Sequence, residues 1–161
     1  MRSVFPLGAS AGETVEVEFL GHNLNDSMEI AFARKDIRAE VLSSDYFRLK
    51  ARISVGSGVP TGLHDYRVRT SRGTYVGVFH VGSLSAQREL EPNNDLAHAQ
   101  KIALPAMVDG VVEEADYDVF RFHAEAGQVL VFDLLARRSG SRLDGTLGVL
   151  DERGNELDFN D

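Results

Sequence analysis

Cysteine and tryptophan are both absent from this 161-residue chain. Without cysteine there are no disulfides, no thiolate zinc ligands and no cysteine nucleophile. The compartment stays open, because many bacterial extracellular β-modules also do without disulfides. Without tryptophan the chain lacks the ring that most favours stacking on sugars. Positive charge is in the minority: 17 Lys and Arg stand against 25 Asp and Glu, for a net charge of −8. A surface of that sign repels phosphate backbones, so nucleic acid is not an expected partner. No apolar run approaches the roughly 18 residues that a helix needs to cross a bilayer, so no membrane insertion is expected. The opening Met1-Arg2-Ser3-Val4-Phe5-Pro6 lacks the apolar stretch of a secretory signal. Two readings fit, a cytoplasmic protein or an internal piece of an exported one, and the resemblance given below favours the second.

What the chain does have is period-two alternation. Thr14-Val15-Glu16-Val17-Glu18-Phe19-Leu20 places Val15, Val17 and Phe19 on one face and Thr14, Glu16 and Glu18 on the other. Short strands are also expected over 28–32, 37–42, 47–55, 64–70 and 74–81, separated by turn-forming residues such as Gly56-Ser57-Gly58-Val59-Pro60 and Ser71-Arg72-Gly73. Six or seven short strands at this spacing predict an antiparallel β-sandwich of about eighty residues. The pattern breaks after Gly82. The predicted domains are residues 1–83, an acidic linker 84–92, and a second β-sandwich over 93–161. In the second half, 94–102 is the best helical candidate, with Asn93 or Asn94 as N-cap. Strands follow over 107–112, 119–124, 129–135 and 146–150, and a hairpin turn at Asp151-Glu152-Arg153-Gly154-Asn155 leads into 156–159. The remainder is short for a closed sandwich and ends in mid-pattern at Asn160-Asp161, so truncation with an open sheet edge is expected.

Two acidic segments carry the chemistry of this half. Glu89-Leu90-Glu91-Pro92-Asn93-Asn94-Asp95 is followed some twenty residues later by Asp116-Tyr117-Asp118. Calcium takes six to eight oxygen ligands, and carboxylates and amides at short spacing supply them compactly. Pro92 biases Glu91 toward an extended conformation, which projects Glu89 and Glu91 to the same side. The residue types alone fit a solvated acidic linker somewhat better than a metal site.

The second half resembles a bacterial pre-peptidase C-terminal (PPC) domain. The similarity runs through Glu89-x-Glu-Pro-Asn-Asn-Asp95, Ala99-Gln100-Lys101-Ile102, Val108-Asp109-Gly110, Asp116-Tyr117-Asp118-Val119-Phe120-Arg121-Phe122, Ala126-Gly127-Gln128 and Leu143-Asp144. It closes on Leu150-Asp151-Glu152-Arg153-Gly154-Asn155-Glu156-Leu157 with Asn160-Asp161. The first half is similar, more loosely, to IPT/TIG immunoglobulin-like domains through residues 6–15, Phe19-Leu20-Gly21-His22-Asn23-Leu24, 62–68 and Phe79-His80-Val81. The resemblance implies two consecutive antiparallel β-sandwiches, Ig-like and then jelly-roll-like. It also implies a non-catalytic accessory, spacer or binding module of an exported bacterial protein. By position it transfers calcium ligation to Glu89, Glu91, Asn93, Asn94, Asp95, Asp116 and Asp118, and it tips the reading toward a metal site. The partners it implies are other domains of the same polypeptide and an extracellular protein or polysaccharide.

Other signals carry less. Gly8-Ala9-Ser10-Ala11-Gly12 matches G-x-S-x-G but follows a proline and precedes a strand, which reads as a turn and not as a nucleophile elbow. His22, His64, His80, His98 and His123 show no metal spacing. His64-Asp65 reads as polar strand surface, and Arg137-Arg138-Ser139-Gly140-Ser141-Arg142 as an exposed loop. Tyr46, Phe47, Tyr66, Tyr75, Tyr117, Phe120 and Phe122 read as core or core-edge residues; a binding face would need several exposed together.

Overall fold

In a computed structural model, which describes residues 1–113 and 116–160, the chain is all-β. It divides into two units, Met1–Ala86 with Arg138–Ser141 and the rest of the described chain. The second unit begins at Gln87.

The first unit holds β1 (Ser3–Phe5), β2 (Gly8–Ser10), β3 (Thr14–Leu20), β4 (Ser27–Phe32), β5 (Ile37–Ser44), β6 (Arg48–Val55), β7 (Gly62–Thr70) and β8 (Gly73–Gly82). They form two four-stranded sheets, in the orders β1-β3-β6-β5 and β2-β8-β7-β4. Pairing is antiparallel except between β2 and β8. Alternation in sequence becomes alternation in burial: along β6, Leu49, Ala51, Ile53 and Val55 are buried and the residues between them are not. The β3–β6 register sets Val17 opposite Ala51 and Phe19 opposite Leu49, so each pair enters the core side by side. The second sheet answers with Ile30, Tyr66, Val68, Phe79 and Val81. Phe19 meets Tyr66 edge to face at 5.7 Å between ring centroids, which joins the two layers. Burial pushes the Tyr66 hydroxyl up to about 12.

The outer face of the first sheet is a charge ladder. Arg52 lies between Glu16 at 3.0 Å and Glu40 at 3.4 Å, and Glu18 receives Arg48 and Lys50. Each exposed pair contributes about 0–1 kcal/mol, so the ladder does little for stability.

The second unit is built differently. Its strands are β9 (Ala86–Arg88, of which Ala86 closes the first unit), β10 (Gln100–Lys101), β11 (Met107–Asp109), β12 (Phe120–Arg121), β13 (Leu147–Leu150) and β14 (Glu156–Asn160). They pair two by two: β9 with β11, β10 parallel to β12, and β13 antiparallel to β14. The expected turn at 151–155 does form. Asp151 Oδ1 accepts the amides of Arg153 and Asn155, and Gly154 takes a φ of 85°. Asp161, of the terminal Asn-Asp pair, lies outside the described residues.

Two expectations for this half are corrected. No helix forms over 94–102. Asp95 instead closes a single turn, accepting the amides of Ala97 and His98 on Oδ1, and the Gln100 and Ile102 amides bond to Val119 and Arg121 across the β10–β12 pair. A helix this short gains too little from its own hydrogen bonds to outweigh that pairing. Residues 129–135 join no ladder among the described residues. Phe132 packs on Phe122 at 5.3 Å, while Val129 and Val131 are each 89% exposed. Among the described residues, every buried apolar residue except Ala136 belongs to the first unit.

Phe19 has no exposed surface and sits at the centre of the first unit. Phe19→Ala should cost about 3–5 kcal/mol, read as a lower urea midpoint for the first unit's unfolding.

Candidate metal centre

Glu89 follows β9 directly, where its amide bonds to Asp109 of β11 at 3.0 Å. Its carboxylate is held from two sides: Oε2 accepts the Val111 amide at 2.9 Å and Oε1 accepts the Asn93 side-chain amide at 3.0 Å. Gly110 makes this possible. A Cβ there would lie 2.5 Å from Glu89 Oε2 and push the carboxylate away. Two residues on, Glu91 Oε2 accepts the Asn93 amide at 3.0 Å. The Asn93 carbonyl in turn accepts the Val119 amide at 2.9 Å, which brings the neighbouring Asp118 to the same place.

Glu89, Glu91 and Asp118 can each offer one oxygen with all three atoms within 4.8 Å of one another. Oxygens on opposite sides of one calcium ion, each 2.3–2.6 Å from it, lie about 5 Å apart, so the three suit a shared cation of that size. Two further observations bear on the fit. Asn93 is fully buried with Oδ1 unpartnered, and Asp118 Oδ1 is likewise enclosed without a hydrogen bond. Enclosed oxygens without donors are costly unless something positive meets them. The donor set is carboxylate and amide oxygen alone, which selects a hard cation such as calcium over zinc.

Electrostatics agrees with the geometry. The Asp118 carboxyl is pushed up to about 7, first by its burial and then by the negative charges of Glu89 and Asp116, a hydrogen bond with Glu89, and the charge of Glu91. Burial alone raises Asp109. Crowded carboxylates in a partly dry site hold protons when no cation neutralises them.

The seven sequence candidates divide. Glu89, Glu91 and Asp118 converge, and Asn93 packs among them. Asp116 stands beside them, its Oδ1 bonded to the Asn94 side chain and to the Tyr117 amide. Asp95 is engaged elsewhere. Its Oδ1 takes the His98 ring at 2.8 Å together with the turn amides, which holds its carboxyl below the ordinary range. Gly110 and the Val111 amide escaped the sequence reading; a glycine next to an Asp in an otherwise strand-like run was the available signal.

The remaining polar motifs have local explanations. Ser10 is buried and its hydroxyl donates to the Leu84 carbonyl. His64 bonds the Pro60 carbonyl at 2.8 Å, and it alternates with Asp65 across β7. Arg137 pairs with Asp144 at 3.1 Å. No protein-family model matches the chain, and neither a curated protein nor a solved structure shows significant similarity to it.

The raised Asp118 carboxyl gives a signed pH dependence. The folded state holds this proton more tightly than the unfolded chain, whose carboxyl has the ordinary value of 3.8. The contribution is therefore full below that value and is lost as pH rises through about 7. In EDTA, the second unit should be less stable at about pH 8 than at about pH 5, by on the order of 1 kcal/mol after solvent screening. Asp118→Asn should flatten that slope, compared with wild type by urea midpoints at both pH values.

Proposed function

We propose that the chain is a non-catalytic accessory module in which a calcium ion stabilises the second unit. The observation that carries this reading is the convergence of Glu89, Glu91 and Asp118 around enclosed oxygens of Asn93 and Asp118 that lack donors. Glu89, Glu91 and Asp118 would ligate through carboxylate oxygens, and Asn93 through Oδ1. The cation's contribution is to neutralise mutually repelling charge where no lysine or arginine side chain bonds the three carboxylates among the described residues. It would act as a staple for a unit whose apolar residues are mostly at the surface.

The broader setting follows the resemblance of residues 89–161 to PPC domains and of the first half to IPT/TIG domains. In that setting the chain belongs to an exported bacterial protein, located extracytoplasmically, with neighbouring domains of the same polypeptide as its first partners. The tethering of Ser10, His64 and Arg137 by their own neighbours supports a structural over a catalytic role.

Calcium in excess over EDTA should raise the second unit's melting transition, by about 3 kcal/mol of stability at a hundredfold excess over Kd, and leave the first unit's transition in place. Asp118→Asn combined with Glu91→Gln should remove the response, and an unchanged response in that variant would overturn the proposal. Gly110→Ala alters no charge, yet by displacing the Glu89 carboxylate it should weaken calcium binding several-fold in titration calorimetry. Binding should also weaken as pH falls below about 7, because calcium must displace the Asp118 proton.

A further inference from the structure

A second surface of a different kind lies on the first unit, where the β3–β4 loop meets the β5–β6 turn. The loop, residues 21–26, is tied to the turn by backbone bonds, Gly21 amide to Phe47 carbonyl at 2.8 Å and Leu24 amide to Tyr46 carbonyl at 3.2 Å. Asn23 turns the loop in the left-handed region at a φ of 58°, and the Tyr75 hydroxyl donates to the His22 carbonyl at 2.7 Å. In the turn, Asp45 Oδ1 accepts the amides of Phe47 and Arg48. These bonds hold three rings together at the surface. His22, Tyr46 and Phe47 pack edge to face, with centroids 4.8 to 6.1 Å apart, while Tyr46 stays 46% and Phe47 59% exposed. Of the aromatics read as core or core-edge, Tyr46 and Phe47 thus stand outside the core. Rings fixed in place before binding lose little entropy on binding.

The polar groups around the rings identify the occupant. Asn23 and Asn25 make no side-chain hydrogen bond to the described protein, Asp45 Oδ2 takes none, and Asp26 uses only Oδ2, for Ser71. An apolar peptide would bury these groups unpaired, at a cost of a few kcal/mol each. A polyol meets them with hydroxyls that donate and accept, while its C–H face lies on the rings. The Asp26 and Asp45 carboxylates, on a chain of net charge −8, disfavour an anionic polymer. From this arrangement we infer that the His22–Tyr46–Phe47 cluster is a binding site for a neutral polysaccharide chain, independent of the metal centre.

The test is affinity electrophoresis of the full chain under native conditions. The gels contain dextran, hydroxyethylcellulose, xylan or galactomannan, with gelatin as the protein matrix and alginate as the anionic one. Retardation in at least one neutral gel is expected, weakened about tenfold by Tyr46→Ala or Phe47→Ala and restored toward wild type by Phe47→Tyr. Both rings are exposed, so unchanged melting of the first unit will show that the variants fold. The proposal is overturned by no retardation in any neutral gel, or by retardation that the ring variants leave intact. Ring-dependent retardation in gelatin alone would assign the surface to a protein partner, and in alginate alone to charge; either result also overturns it. Repeating the gels in EDTA with Asp118→Asn keeps failure of the metal centre distinguishable from failure here.

Discussion

Like charge confined to a small, partly dry volume is the constraint from which the second unit's behaviour follows. Glu89, Glu91 and Asp118 are brought together by backbone pairing of β9 with β11 and by the Asn93–Val119 bond, not by attraction between their charges. Something must answer the repulsion. A proton on Asp118 does so in part, and a divalent cation would do so more completely. Apolar side chains beside the site offer only partial compensation, since Leu90 and Val111 are exposed while Val108 and Val119 are half-buried.

The first unit rests on the opposite logic. Two sheets with matched alternation remove their apolar residues from water, and rings from both layers meet between them. That burial makes the frame rigid enough for its loops to be held by a few backbone bonds. It is why three rings can stay at the surface of the β3–β4 and β5–β6 connections without collapsing onto the core. The first unit is held by buried apolar area, whereas the second gathers like charge that the proposed cation would neutralise.

Much of this was legible in the residues. Alternation of Val15, Val17 and Phe19 against Glu16 and Glu18 placed β3 and its faces, and the Asp151–Asn155 segment placed a hairpin turn, in which one carboxylate accepts the amides of Arg153 and Asn155. The helical spacing over 94–102 misled, because a tertiary strand pairing competed successfully with a helix of fewer than three turns. The apolar run over 129–135 has strand composition, but composition does not supply a partner for it. Tyr46 and Phe47 were misread for a similar reason: an aromatic pair next to a strand looks like core until the turn that carries it is known to project outward.

By itself, then, the order of residues determined the strand class, the faces of the strands and the acidic segments that concentrate oxygen ligands, because these depend on periodicity and local chemistry. Tertiary structure alone decided that Glu89, Glu91 and Asp118 meet while Asp95 turns to His98, that Asn93 is enclosed, and that Gly110 leaves room for a carboxylate. It also decided that three rings from two loops share one surface. Apart from the local Asp95–His98 turn, these are contacts between segments that neither periodicity nor propensity brings together, set by which backbone amides find which carbonyls in the folded chain.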